Sequence, residues 1–417
     1  MAQLSDDCFA FGGPMRSVED AVAMIIDRLS PVDGVEVVPL TEADGRILAR
    51  DLTSPLALPP FTNSAVDGYA VRSEDLPAGE ARAFAIAGRM QAGAAASGPI
   101  PPGHAIRIFT GAPMPSGVDT VFMQEDVRLD DGRVVLPPGL KRGSNVRPAG
   151  EDVALGLTVL PAGRRLRPQD VAVAAALGLT GIEARRRVRV AVFSNGDEIV
   201  EPGMDRASSQ LFDSNRFMLL AMLRRIGCEV TDLGILPDDR ARIADILKRE
   251  AGAHDLMLTS GGVSTGDADY VKAAIESVGS LVFWRMAIKP GRPVAMGVIE
   301  GTPFIGLPGN PVASFVTFAH VARPAVFALA GAEWRKPVGV QVRAAFTYRK
   351  KPGRLEYVRA NLRRADDGAW EAIKFPREGA GLLSSLIDTD GLVELSEDAT
   401  NIEPGRLVEF MAYASLL

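Results

Sequence analysis
Residues 256 to 270 read LMLTSGGVSTGDADY: an apolar run of strand length breaks into a glycine-rich turn that ends in carboxylates before a helical pattern resumes. Gly261, Gly262 and Gly266 lack a Cβ, so such a turn closes tightly and converges backbone N–H groups on an anion at the positive end of the next helix. Asp267 and Asp269 add hard oxygen donors of the kind Mg²⁺ takes beside a phosphate. A strand-to-helix turn with ordinary caps is the other reading of these residues. Three further apolar runs also end in charge: SNGDE with Asp197 and Glu198, Pro237-Asp238-Asp239, and Lys289-Pro-Gly-Arg-Pro293, which follows LVFWRMAI and its Arg285. Ligands of open parallel sheets bind outside the carboxyl ends of the strands. Acids and cations on one such rim suit metal-assisted phosphoryl or nucleotidyl chemistry, in which developing negative charge needs fixed positive partners. Taken alone, Asp238-Asp239 reads as a helix cap.

The elements that must position these residues follow from pattern. Ser17-Val-Glu-Asp20 forms a capping-box signature ahead of apolar residues at helical spacing, and the helix ends near Ser30-Pro31. From Pro55 to Arg147 short alternating runs punctuated by Pro and Gly predict an inserted β-rich unit. Pro168 then opens a helix that Gly178 closes. Between Arg187 and Gly331 strands and helices alternate, which predicts a parallel, doubly wound sheet. Asn310 and Pro311 start its last helix, which Pro324 is expected to kink. From Trp334 the period returns to two, predicting a terminal β-barrel or sandwich. The expected fold is multidomain α/β plus β: a discontinuous linker domain (1–53 and 148–186), the inserted β-rich domain (54–147), the α/β domain (187–333) and a C-terminal β-barrel (334–417).

With 417 residues, 47% hydrophobic and 24% charged, the composition is that of an ordinary globular protein. No apolar run approaches the ~20 residues that span a bilayer. The acids in MAQLSDDCFAFGG argue against a secretory signal, so a cytoplasmic protein is expected. Cys8 and Cys228, with His104, His254 and His320 far apart, offer neither a disulfide framework nor zinc spacing; any metal must sit on carboxylates. A net charge of −6 speaks against nucleic-acid and anionic-membrane partners, and Arg185-Arg186-Arg187 reads as a solvated linker.

SGGVSTGDADY, AIKPGRP and LPGNPVASF, with FTNSAVDGYAV, IRIFTGAPMPSG, SNVRPAGEDV and SNGDEIVEPG, resemble the molybdopterin molybdenumtransferase family, which includes bacterial MoeA and the E domain of gephyrin. The likeness runs from about residue 15 to 415. It implies insertion of molybdate into the dithiolene of adenylylated molybdopterin with release of AMP, a requirement for Mg²⁺, and a homodimer whose cleft is shared between subunits. It also implies contact with a pterin adenylyltransferase and with molybdoenzymes that accept the cofactor. Two other readings share the fold: a scaffold protein, and a pterin adenylyltransferase, which would not need the flanking domains.

Carried over by motif, the resemblance implies catalytic roles for Asp67, Thr110, Arg147, Asp152, Glu198, Asp238, Asp269 and Lys289, with Glu198 and Asp269 holding the metal. It implies substrate contacts at Gly261, Gly262, Ser264, Gly266, Arg285, Arg292, Pro308, Asn310, Pro311 and Ser384. This chain departs from the family pattern at Val66 and Phe109, each in place of a methionine, at Asn195 in place of a threonine, and at Arg285 and Arg292 in place of lysines.

Overall fold
A computed structural model describes residues 15–95, 98–261 and 270–417, without the side chains of 282–284. The helix Val18–Arg28 is capped as its sequence predicts, with the Asp20 N–H donating to Ser17 Oγ at 3.0 Å. Its apolar stripe, Val18, Ala21 and Ile25, is buried in one cluster with Val321, Ala325 and Leu329 of the chain's longest helix. Beyond it the strand Val35–Pro39 pairs antiparallel with Gly181–Arg185, and Leu52–Thr53 with Thr158–Leu160. The chain therefore leaves this region and returns to it, enclosing a small core of Leu48, Leu160, Leu166, Ala174 and Ile182.

Between those crossings lies a curled six-stranded sheet in the order Thr120–Met123, Gly68–Val71, His104–Ile108, Arg82–Met90, Arg133–Leu136, Arg128–Asp130. Successive strand residues point to opposite faces. Tyr69, Val71, Ala105 and Phe122 accordingly enter one core, and Ala70, Ile106 and Val121 the other. A Cβ on Gly68 would stand 1.8 Å from the Phe122 carbonyl oxygen, so only glycine lets this strand pair there, immediately after Asp67.

The α/β unit holds a six-stranded sheet in the order Glu229–Leu236, Arg189–Asn195, Leu256–Ser260, Thr302–Leu307, Pro293–Ile299, Gly279–Arg285. Val190 and Val192 face one helical layer, Ala191 and Phe193 the other. Its strands are buried on both faces, which explains their unbroken apolar runs. The expectation of a wholly parallel sheet is corrected here. Pro293–Ile299 runs antiparallel to both neighbours. A two-residue turn, Glu300 and Gly301 with φ of 48° and 90°, reverses the chain into Thr302–Leu307. Two positive φ values match the twist of a hairpin.

The helix that follows is α-helical over Pro311–Thr317 and Arg323–Leu329, with a π turn at Phe318–Ala322 between them. Pro324 stands two residues past this widened turn, at the start of the second α-helical segment, where its missing N–H is accommodated. This helix, the one of membrane-spanning length and hydropathy among the described residues, is 94% buried in the protein.

At the C-terminus five strands close into a barrel: Leu355–Arg364, Trp370–Lys374, Val340–Ala344, Leu407–Ala412 and Gly391–Leu395, the last returning to the first. The short strand Ile288–Lys289 leaves the α/β unit and pairs parallel with Leu355 and Glu356 of this barrel.

Candidate functional site
A cleft of about 600 Å³ opens between the strand ends of the α/β unit and the barrel wall. Leu307 ends its strand at Pro308-Gly309-Asn310, and the polar side chains of half-buried Asn215 and buried Ser260 hold that turn. Asn215 Nδ2 donates to the Gly309 carbonyl at 2.7 Å and to Ser260 Oγ at 2.9 Å, while Ser260 Oγ donates to the Pro308 carbonyl at 3.0 Å. Asn310 occupies the helix N-cap position, yet its side chain makes no capping bond and lines the cleft. The Val312 N–H donates to Ala380 O at 2.9 Å, so a barrel loop rests on this helix start.

Gly261, Lys289 and Gly291 complete the α/β wall. Gly291 has φ +113°, and a Cβ there would lie 2.5 Å from Thr317 Cγ2, so the turn after Lys289 requires glycine. Across the opening the barrel presents Tyr348, Arg359, Lys374 and Arg377. Burial lowers the pKa of the Arg359 guanidinium, whose Nη2 donates to the Arg377 and Gly379 carbonyls at 3.4 and 3.2 Å.

Glu198 also lines the cleft and belongs to an acidic group. The Asp197 N–H donates to Asp238 Oδ2 at 3.2 Å, while Asp238 Oδ1 is buried with no hydrogen-bond partner among the described residues. Burial, then the Asp197 charge, raises the Asp238 pKa, and Glu198 adds to the effect. The helix cap expected of this acidic pair is made by Asp239 alone, which accepts from the Arg242 N–H at 3.1 Å. The loop carrying Glu198 is pinned by Arg216, which meets Asp213 at 2.8 Å and also pairs with Glu201 and Asp232.

Asp67 and Thr110 meet in the inserted sheet. Asp67 Oδ1 accepts from the Thr110 N–H at 2.8 Å and from Thr110 Oγ1 at 2.7 Å. Ser64 binds this segment to Ala112 on one side, and the pairing of Asn63 with Arg147 binds it on the other. Asp152 follows, its N–H donating to the Leu58 carbonyl. None of Asp67, Thr110, Arg147 or Asp152 lines the cleft.

Three family models match in chain order: the MoeA N-terminal region (domain I and II) over residues 16–178, the probable molybdopterin binding domain over 191–328, and the MoeA C-terminal region (domain IV) over 341–413. A molybdopterin molybdenumtransferase of Haemophilus influenzae is 38% identical, covering 97% of this chain and 100% of its own. The chain belongs to the molybdopterin molybdenumtransferase family. A second member, from Nostoc sp., is 35% identical over 94% of this chain and 93% of its own. Among solved structures, a molybdopterin biosynthesis moeA protein from Pyrococcus horikoshii superposes with a TM-score of 0.82 at 29% identity, covering 96% of this chain and 100% of that one.

Seen as a member of this family, the chain gathers part of its motif residues in the cleft and leaves the others outside it. Glu198, Gly261, Lys289, Pro308 and Asn310 share the cleft. Pro311 opens the helix behind it. Arg285 accepts the Arg16 N–H through its carbonyl, Arg292 Nη2 reaches Met15 Sδ at 3.6 Å, and Ser384 begins the short helix Ser384–Ile387; none of the three lines the cleft. Gly262, Ser264, Gly266, Asp267 and Asp269 lie outside the described residues.

Tyr348, Arg359, Lys374 and Arg377 were not singled out from sequence. The available signal was charge in an apolar strand: Glu356 and Arg359 interrupt LEYVRA, and both are buried. The arginine run at 185–187 is corrected too. Arg186 forms two bonds to Asp255, at 2.6 and 2.9 Å, and staples the unit's entry strand, while Arg187 stays exposed and donates from Nη1 to the Gly227 carbonyl at 3.0 Å.

Proposed function
We propose that this protein is a molybdopterin molybdenumtransferase that inserts molybdate into the dithiolene of adenylylated molybdopterin with release of AMP. The observation that carries this reading is the cleft itself, in which Glu198 and Lys289 of the α/β unit share one pocket with Arg359, Lys374 and Arg377 of the barrel wall. A polyanionic nucleotide needs fixed cations, and phosphate beside carboxylates needs a divalent ion between them.

Asp238 keeps a buried carboxylate oxygen without a partner among the described residues; no three carboxylates among those residues could hold an ion by themselves, so the glycine turn has to complete the site. Glu198 and Asp238, with Asp269 from the glycine turn, would hold Mg²⁺, which when bound neutralises charge on the phosphates. Lys289 and Arg359 orient the anion, while Asn310 offers the cleft an amide not used for capping. Asp67, Thr110, Arg147 and Asp152 stand outside this chain's cleft. The same proposal therefore includes a homodimer in which one protomer's inserted sheet completes its partner's site, in the cytoplasm.

Purified protein given adenylylated molybdopterin, Mg²⁺ and molybdate is expected to release AMP in step with active cofactor; cofactor formed without AMP overturns the mechanism. Mixing Asp67→Ala with Lys289→Ala protein tests the shared site. Subunit exchange should restore roughly a quarter of wild-type turnover, since half the pairs are hybrids with one intact site each. No recovery with proven exchange refutes the sharing.

A further inference from the structure
Lys289 reaches the cleft from a two-residue strand whose register sets it beside Glu356 of the barrel. Its Nζ donates to Glu356 Oε2 and to Tyr348 Oη, both at 3.1 Å, and Tyr348 Oη donates in turn to the same Oε2 at 2.8 Å. The other oxygen, Oε1, accepts from Arg354 Nε at 2.8 Å. The Glu356 side chain is 1% exposed, whereas that of Lys289 is 44% exposed. A buried carboxylate is costly unless several donors satisfy it. Arg354 alone would leave this one with an open oxygen, and the groups that close it are the cleft lysine and the cleft tyrosine.

We propose that Glu356, together with Tyr348, is a positioning pair that fixes the Lys289 ammonium on the cleft wall with one N–H left for the substrate anion. An ammonium has three donors, and two are spent on the pair. A lysine on a four-carbon stem otherwise samples many rotamers, and ordering it on binding costs affinity. The pair performs that ordering in advance and links it to seating of the barrel against the α/β unit, since Lys289 and Glu356 belong to different units. This inference rests on the cleft being the nucleotide site.

The charged and titratable groups around the trio are Arg354, Lys350, Arg359 and Lys374, the last with Nζ 5.9 Å from the Tyr348 ring centre and paired to Glu378 at 3.2 Å. Burial lowers the Lys289 pKa, but the bonds to Tyr348 and Glu356 outweigh it and raise the value. Removing the carboxylate charge therefore brings deprotonation of Lys289 to lower pH.

The test is steady-state AMP release by the full-length protein at varied adenylylated molybdopterin, from neutral to alkaline pH, for Lys289→Ala, Glu356→Gln and Tyr348→Phe. Lys289→Ala should raise KM about tenfold or more. Glu356→Gln should raise KM roughly three- to tenfold with kcat within about twofold, and move the alkaline limb of kcat/KM to lower pH. Tyr348→Phe, which removes only one hydroxyl, should raise KM by a smaller factor and decides the matter if Glu356→Gln does not fold. If Lys289→Ala raises KM while the other two leave KM and the alkaline limb untouched, the positioning role is refuted and the site reading survives. If Lys289→Ala leaves KM unchanged, the site reading fails and takes this inference with it.

Discussion

Thr110 donates both its backbone N–H and its hydroxyl to one oxygen of Asp67, across 43 positions of sequence. The Thr110 N–H first, and its hydroxyl next, hold the Asp67 carboxyl below its usual range. Asp67 is thus an ionised acceptor whose direction Thr110 sets, and its second oxygen is not used in this pair.

Asp67→Asn keeps the shape and removes the charge, so AMP release should fall on the order of a hundredfold, as for loss of one preorganised charged group. Thr110→Val should lose roughly tenfold because the backbone donor remains, and Thr110→Ser should retain activity. A melting curve alongside the rates separates this from unfolding: both residues are at the surface of their sheet, so Tm should hold within about 2 °C for all three.

Asp238 makes the opposite kind of prediction. Burial and the neighbouring Asp197 charge raise its pKa, so above the ordinary carboxylate range its ionised form opposes folding, and neutralising it should raise Tm in metal-free buffer. Asp238→Asn is expected to be more heat-stable and less active than wild type. Mg²⁺ titrated into the wild type should raise its Tm and move the variant less. Equal shifts in the two proteins would separate Asp238 from any metal site.

The entry staple carries a pH dependence. Burial opposes ionisation of Asp255, but its bonds to Arg186 and Arg189 prevail and hold the carboxyl at about 2, against an ordinary 3.8. A depressed pKa contributes stability that is complete above the unfolded value and disappears as pH falls through the folded one. Wild type should exceed Asp255→Asn by about 2 kcal/mol in urea unfolding at pH 7. The gap should close between about pH 4 and pH 2. A gap that persisted at pH 2 would show that the carboxylate charge is not its source.

Local signals made much of the architecture legible. Ser17 before an amphipathic run, Pro168 and Gly178 around a helix, and apolar runs broken by glycine are each properties of a few adjacent residues. The hairpin at Pro293–Leu307 escaped because Glu300-Gly301 is a weaker turn signal than Asn-Gly, and because its strands are apolar on both faces and so lack alternation.

By itself the sequence determined many of the strands and helices, that four charged turns follow apolar runs, and to which family the chain belongs, because all of these reside in short contiguous motifs. Only the tertiary structure decided that Lys289 rests on Glu356 and Tyr348, that Arg359 and Arg377 share a cleft with Gly261, Gly291 and Gly309, and that Asp67 stands outside its own chain's cleft. Those relations depend on strand register and on how the barrel seats against the sheet. Both are set by burial summed over many residues, and no single spacing along the chain encodes either.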